Sequence, residues 1–161
     1  MEIHTTGKRD KALAFLAQNE TGVLATISPE GKAHARLVYY TSDDSFNLYF
    51  MTLANTRKVA DLAVHPHVAF TVFDSVVPKT LQVEGIVTDL TDTATNDPML
   101  VTFLQKLIPK TPYGIPLEHL DSAVIRFFKI TPDWVRFGDF TYGKGTDAVL
   151  VQIHPLQPGG E

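Results

Sequence analysis

A chain of 161 residues is long enough for one domain with a sizeable hydrophobic core. Its 44% hydrophobic and 20% charged residues are typical of a folded protein, and the absence of cysteine excludes disulfides, thiol catalysis and cysteine-ligated metal centres. The net charge of −4 argues against general affinity for nucleic acid, although a few clustered cations can still bind a small anion.

The N-terminal residues Met1 to Thr6 contain no basic region followed by an apolar stretch, so no signal peptide is predicted. No apolar run approaches the roughly 18 residues that are needed to cross a bilayer. We therefore expect a cytoplasmic protein that does not interact with membranes.

The first third of the chain is predicted to contain one helix followed by three strands. Leu13, Leu16 and Ala17 recur at helical spacing, which predicts an amphipathic helix over residues 9–19. Alternation with a period of two then predicts a strand over 23–28. Further strands are predicted over 34–41 and over 46–52, which is rich in aromatic residues. Because the connecting segments have the composition of tight turns, we expect these strands to form an antiparallel meander.

A second helix is predicted directly after the third strand. Asn55 is a suitable N-cap, and residues 56–58 would form the first helical turn. Pro66 is expected to end this helix, since proline disfavours helical geometry in the residue before it.

The remainder of the chain is predicted to contain one helix and the strands 68–73, 80–89, 122–130 and 134–137. Gly85 indicates a bulge or a close backbone approach inside its strand. Asp97 and Pro98 have the residue types of an N-cap and a first helical position, and residues 99–107 supply a strong apolar face. Residues from Tyr142 onward are rich in glycine and proline and are expected to form a mobile tail.

The predicted elements are mainly β-strands with a few short helices inserted. Five or six antiparallel strands in succession indicate a barrel or a sandwich, and a small barrel has the advantage of leaving no exposed strand edges. Because no repeat, long linker or charge block divides the chain, we expect a single domain.

The segment 49–58, where a strand leads directly into a helix start, is the clearest candidate binding site. Free backbone N–H groups and the helix dipole together make a helix start a ready anion site. Arg57 and Lys58 lie in the first turn, where the dipole disfavours cations by on the order of 0.3–1 kcal/mol each. A bound phosphate would make the interaction of these two cations with the helix start favourable instead of unfavourable. Without a phosphate, the two side chains are ordinary solvated charges on an exposed turn.

Arg36 lies in the middle of the predicted second strand. Counting outward from the turn at 42–45 places it opposite Met51 or Thr52, within reach of the helix start. Three cations and several N–H donors would then converge on one point, which is more than a solvated surface requires. The sequence therefore predicts a phosphate site.

These features resemble the FMN-binding split barrels related to pyridoxamine 5'-phosphate oxidase. The resemblance is carried, in the right order over roughly residues 10–90, by the segments 22–27, 31–38, 49–58 and 82–85. It implies a homodimer of six-stranded antiparallel Greek-key split barrels that are mainly β, with FMN bound at the subunit interface. It also implies one domain over 1–161, with a core at about 9–140 and a tail at 141–161.

The resemblance further implies which residues bind FMN. Arg36, Arg57 and Lys58 would contact the phosphate, and Thr52 and Thr56 would add hydroxyl or backbone bonds. Further implied contacts are the backbone at Leu37, Val38 and Tyr39 for the isoalloxazine ring, the pocket residues Tyr49, Phe50 and Met51, and Gln82. Gln82 could equally be an ordinary exposed strand residue.

The partner subunit would contribute Trp134 and Arg136 from its C-terminal half. The pattern departs from the oxidase itself in this region, because the oxidase carries an Arg-Leu-His signature that grips the vitamin substrate. Arg136 has no histidine two positions later. Oxidation of pyridoxamine phosphate is therefore not expected, and the catalytic residues and the substrate stay unassigned.

Several alternatives stay open at the level of sequence. An FMN-dependent oxidoreductase is the first hypothesis, a non-catalytic flavin carrier or sensor the second, and a split barrel that binds a deazaflavin or haem the third. No metal site is predicted, since His65 and His67 flank a proline and no third ligand lies nearby in sequence. His34 either touches a ligand or is satisfied by a neighbouring side chain.

Overall fold

The structure, a computed structural model, describes residues 2–94, 97–107, 124–141 and 150–154. Its helices are α1 (Glu2–Gln18), α2 (Arg57–Val64), α3 (Thr91–Ala94) and α4 (Pro98–Leu107). Its strands are β1 (Thr21–Ile27), β2 (Ala33–Tyr39), β3 (Thr41–Ser42), β4 (Leu48–Leu53), β5 (His67–Asp74), β6 (Lys79–Asp89), β7 (Ile125–Asp139) and β8 (Leu150–His154). In this part of the chain, no helix combines the length and the apolar character that a membrane span requires.

The strands form one antiparallel sheet in the order β2-β1-β5-β6-β7-β4-β3, and β8 pairs with β7. Tyr40 alone separates β2 from β3, so the two strands form one bent segment. Its first half pairs with β1 and its second half with β4. This segment joins the two ends of the sheet and curls it into a barrel. In the described part of the chain, β2 and β4 do not pair with each other, which leaves an opening between them. The predicted fold class, mainly β and antiparallel, is confirmed.

Aromatic side chains fill much of the barrel interior. Tyr40 packs edge-on against Phe70 with ring centroids 5.3 Å apart, and Phe50 stacks on Phe128 at 5.2 Å. Helix α1 packs on this core, where the Tyr40 hydroxyl donates a 2.6 Å hydrogen bond to the carbonyl of Leu16. Burial of each such side chain stabilises the fold by about 1.5–3 kcal/mol, which fixes the sheet that carries the site.

Three local predictions are confirmed. The register of β6 against β7 shifts at Gly85, and a Cβ atom there would collide with the carbonyl of Thr131. Asp97 caps α4, since its Oδ1 accepts a 2.9 Å hydrogen bond from the N–H of Met99. Helix α2 ends at Val64, just before Pro66.

The predicted meander of the first three strands is wrong. β2 pairs with β1 as expected, but β4 pairs with β7 and with the short β3. Arg36 therefore lies opposite Leu24, not opposite Met51 or Thr52. The cause is the bend at Tyr40, after which the segment changes its partner strand, and counting outward from a turn cannot detect such a change.

Two predicted helix boundaries are also wrong. Helix α1 begins at Glu2 rather than at residue 9, and its apolar face buries Phe15 and Leu16 but leaves Ala17 exposed. The N-cap of α2 is Thr56 rather than Asn55, because a turn that includes Asn55 connects β4 to the helix. Helix α3 was not predicted.

The C-terminal half differs more from expectation. Residues 125–130 of the predicted strand 122–130 and the predicted strand 134–137 are parts of one continuous strand, β7, since a bulge lets Pro132 sit within it opposite Gly85. Residues 122–123 lie outside the described residues. Residues 150–154, placed by prediction in a mobile tail, form β8. On α4, Leu100 is buried whereas Met99 is 66% exposed, and the side chains of residues 103, 104 and 107 lie outside the described part.

Candidate functional site

Helix α2 lies across the opening between β2 and β4. On one side its Asp61 carboxylate accepts a 2.6 Å hydrogen bond from the hydroxyl of Thr26 on β1. On the other side the Lys58 ammonium donates a 2.6 Å hydrogen bond to the hydroxyl of Thr52 on β4. The helix start that follows β4 in sequence is thereby held beside strands that come much earlier in the chain.

Three cations gather at this place, and we call Arg36, Arg57 and Lys58 the cation cluster. The Arg36 guanidinium donates through Nη1 to the hydroxyl of Thr26 at 2.5 Å and through Nη2 to Asp61 at 3.2 Å. The Arg57 Nη2 lies 2.6 Å from the Nε2 atom of His34. The predicted convergence of three cations is therefore observed, although the predicted strand register that led to it is wrong.

Asp61 is the negative counterpart of the cluster. Its side chain is only 2% exposed, and its Oδ2 atom accepts hydrogen bonds from Thr26, His34 and Arg36. Burial alone would raise the pKa of this carboxyl, but the three hydrogen bonds outweigh burial and hold the pKa below its usual range. Asp61 is therefore ionised at neutral pH.

The pKa of Lys58 is also lowered, but for an ammonium this shift disfavours the charged form. Partial burial lowers the pKa of its ammonium, and the positive charge of Arg36 lowers it further. The cations thus repel one another in the absence of a ligand. A bound anion would relieve this repulsion, so the electrostatics of the site favour the binding of an anion.

The start of α2 adds backbone donors to the same place. Thr56 is the N-cap but makes no side-chain capping bond, because its hydroxyl donates to the carbonyl of Leu53 at 2.9 Å. The first turn also carries no acidic residue. Helix-start N–H groups without a side-chain cap are available to an anion, as in many phosphate sites.

Some of the residues predicted to contact the isoalloxazine ring are exposed at the surface, and the others are buried in the core. Leu37 and Tyr39 face outward from β2 with exposures of 64% and 38%, whereas Val38 is buried. Tyr49 and Phe50 are buried in protein contacts, the Tyr49 hydroxyl donating to Asp43 at 3.1 Å. Met51, also predicted for the pocket, is 7% exposed.

Gln82, Trp134 and Arg136 lie on the outer face of the sheet. Gln82 is exposed between two buried neighbours of β6 and lies opposite Arg136 on β7. Trp134 lies opposite Glu84 on the same face. In the sheet order, β6 and β7 lie three and four strands from β2, which carries Arg36, and these three side chains point to the opposite face. One chain therefore does not bring them to the cation cluster.

Sequence reasoning missed Asp61 and left His34 undecided. The available signal was a carboxylate three residues after Lys58 and four after Arg57, next to the buried Leu62. A carboxylate on the buried side of a helix requires a cationic partner. Within the described residues, no group of three or more potential metal ligands of the His, Cys, Asp or Glu type occurs.

Comparison with known proteins gives information on the family of the chain. A sequence profile described as pyridoxamine 5'-phosphate oxidase matches residues 9–138. A pyridoxine/pyridoxamine 5'-phosphate oxidase of Burkholderia cenocepacia (strain HI2424) is 31% identical over 77 residues. That match covers 48% of this chain and 36% of the relative, so the chain spans little more than a third of its length.

Solved structures share the fold. A Listeria innocua protein named as a candidate pyridoxamine 5'-phosphate oxidase superposes with a TM-score of 0.63 at 25% identity, covering 80% of this chain and 96% of that one. A heme binding protein from Mycobacterium smegmatis gives a TM-score of 0.67 at 15% identity, covering 89% of this chain and 56% of that one. At that identity the second likeness shows the fold alone.

Proposed function

Because the chain belongs to the pyridoxamine 5'-phosphate oxidase family, we propose that it is an FMN-binding protein and an FMN-dependent oxidoreductase. The observation that carries this proposal is the cation cluster at the uncapped start of α2. Phosphate monoesters carry a charge of about −1.5 to −2 at neutral pH and offer three acceptor oxygens, which match such a group of donors.

In this proposal the phosphate is held by Arg36, Arg57 and Lys58. Thr52 and Thr56 adjoin the cluster, their hydroxyl oxygens lying 3.4 Å apart. The flavin would supply the redox chemistry, and the protein would supply binding, orientation and electrostatics. No catalytic acid or base is required of the chain for such chemistry, and the substrate is left open.

We further propose that the protein is a homodimer, with the ring of FMN at the subunit interface. The outer face of the sheet carries exposed apolar side chains, with Leu37, Phe73 and Ile86 exposed by 64%, 64% and 43%. A second copy covering this face would bury them. It could also bring its own Trp134 and Arg136 towards the exposed backbone of β2.

The first experiment is an absorption spectrum of the purified protein, followed by titration with FMN and with riboflavin. A flavin spectrum and tighter binding of FMN than of riboflavin are expected, because riboflavin lacks the phosphate. A haem spectrum, or equal affinities for the two flavins, would contradict the proposal. A deazaflavin would be recognised by its different absorption maximum.

A double variant tests the phosphate contacts. Arg57→Ala with Lys58→Ala should weaken FMN binding at least tenfold, since each charge-assisted hydrogen bond contributes roughly 1.5–3 kcal/mol. Lys8→Ala with Lys11→Ala removes the same charge from α1 and should leave the affinity unchanged. Turnover is a separate question, answered by whether the FMN-loaded protein oxidises a reduced nicotinamide when an electron acceptor is supplied.

A further inference from the structure

We propose that Asp61 and His34 are positioning residues for the cofactor's phosphate. One buried carboxylate orients Arg36 directly and Arg57 through His34. This inference rests on the proposed function and deepens it, because it assigns a role to two residues that would not themselves touch the phosphate.

A single oxygen atom of Asp61 organises the inner side of the site. Its Oδ2 accepts hydrogen bonds from Thr26 at 2.6 Å, from His34 at 2.8 Å and from Arg36 at 3.2 Å. All three donors belong to β1 or β2, whereas Asp61 belongs to α2. The carboxylate therefore fixes the helix start relative to the strand that carries Arg36.

The imidazole of His34 extends this arrangement to Arg57. A guanidinium can only donate, so Nε2 of His34 must accept the bond from Arg57. The proton of the neutral ring then lies on Nδ1, which donates to Asp61. This chemistry assigns one tautomer to the ring and connects Asp61 to the exposed Arg57 through two hydrogen bonds.

The charges of the site favour a role beyond stability. A buried ion pair is often no more stabilising than apolar residues of the same volume. Stability alone therefore does not explain why a carboxylate occupies a position that is only 2% exposed. The three cations of the cluster and the one carboxylate leave a net charge of +2 when His34 is neutral. That value complements a phosphate monoester.

Arg36 also keeps donors for a ligand. In the part of the chain that the structure describes, Thr26 and Asp61 take two of its five N–H groups. Its side chain is 21% exposed, so the remaining groups can reach a bound anion. Holding the guanidinium by its inner N–H groups is what aims the others outward.

Asp61 has two opposing effects on a phosphate. Its charge repels the anion, while its hydrogen bonds hold the cations in place. Asp61→Asn separates these effects, because asparagine keeps the size and one acceptor oxygen but removes the charge. If only charge mattered, the variant would bind FMN more tightly; if orientation matters more, it will bind FMN less tightly.

The test measures dissociation constants of the full-length protein for FMN and for riboflavin. We expect Asp61→Asn to weaken FMN binding by about tenfold and to leave riboflavin binding unchanged, since neutral hydrogen bonds are roughly half as strong as charge-assisted ones. Asp139→Asn, which removes a carboxylate beside Lys79, is the matched control and should change neither constant. Tighter FMN binding, or an unchanged ratio of the two constants, would overturn the proposal.

A double-mutant cycle gives a second, independent test. His34→Gln should weaken FMN binding severalfold in the wild-type background and have no effect in the Arg57→Ala background, because His34 acts through Arg57. Equal losses in both backgrounds would contradict this role. If Asp61→Asn does not fold, this cycle still tests the positioning role, because it uses only variants of His34 and Arg57.

The outcomes also separate this inference from the proposed function. Wild-type protein that does not prefer FMN over riboflavin would contradict the proposed function and the positioning role with it. A wild-type preference for FMN that survives Asp61→Asn unchanged would contradict the positioning role alone.

Discussion

The guanidinium of Arg36 and the carboxylate of Asp61 meet at 3.2 Å between β2 and α2, two elements that are separated in sequence by β3 and β4. Asp61 is 2% exposed and Arg36 is 21% exposed, so the pair lies at the boundary between the core and the site. This contact joins the stability of the barrel to the placement of the cation cluster.

Removal of Arg36 is expected to destabilise the protein. Breaking a buried pair usually costs about 3–5 kcal/mol, but Arg36 is partly exposed and Asp61 keeps Thr26 and His34, so Arg36→Met should cost about 1–3 kcal/mol. Urea unfolding at neutral pH measures the loss. Arg126→Met breaks a pair that is about one-third exposed and should cost at most about 1 kcal/mol. Equal losses would show that burial does not distinguish the two pairs.

The pH dependence of the unfolding free energy should reveal the ionisation of the Asp61 carboxyl. Because its folded-state pKa is lower than the ordinary value of 3.8, its ionised form stabilises the fold at neutral pH. That contribution is present above the unfolded-state pKa and is lost as the pH falls through the folded-state pKa. The difference in unfolding free energy between wild type and Asp61→Asn should therefore stay constant from pH 7 to about pH 5 and shrink as the pH falls further, through 3.8 and below. A difference that stays constant over the whole range would contradict the shift.

Lys58 should make FMN binding sensitive to alkaline pH. Its pKa is lowered in the free protein and should rise when a phosphate binds, so binding takes up a proton above the free-state pKa. FMN affinity should consequently fall by up to tenfold per pH unit in that range, whereas riboflavin affinity should not. Lys58→Arg keeps its charge and should abolish the dependence, which titrations followed by flavin fluorescence can measure.

Gly85 should not tolerate a side chain. A Cβ atom there would meet the carbonyl of Thr131, so Gly85→Ala must shift the β6–β7 bulge and should cost roughly 1–3 kcal/mol. Gly7→Ala is the control, since a Cβ atom built on Gly7 would meet no atom within 4 Å apart from its own stretch of helix. Alanine stabilises a helix by roughly 0.5–1 kcal/mol relative to glycine. Thermal unfolding of both variants should give shifts of opposite sign.

The proposed dimer can be tested on the outer face. Leu37→Glu places a charge on a side chain that is 64% exposed, so it should convert a dimer to a monomer in light scattering without unfolding the barrel. Val76→Glu, at an 89% exposed position in the turn after β5, is the matched control and should leave the mass unchanged. A wild-type monomer, or a Leu37→Glu dimer, would contradict the proposed interface.

Local patterns in the sequence were sufficient for several features of the fold. Alternating residues identified β1, the predicted strands 68–73 and 80–89 match β5 and β6, the glycine at 85 identified the bulge, and Asp97 identified the start of α4. Each of these depends on neighbours within a few residues, because turn geometry, capping and the two-residue period of a strand are local properties. The cation-rich start of α2 was recognised in the same way.

Pairings between distant segments required the tertiary structure. The bend at Tyr40 sends β3 to β4 and leaves Arg36 opposite Leu24, so a register counted from the nearest turn gave the wrong partner. The cations nevertheless converge, because barrel closure brings α2 against β1 and β2. The buried position of Asp61 follows from that closure, since a helix reveals which face it presents but not what that face will meet. The sequence by itself thus determined the three cations of the cluster, and the barrel added Asp61 and decided how these charges are paired.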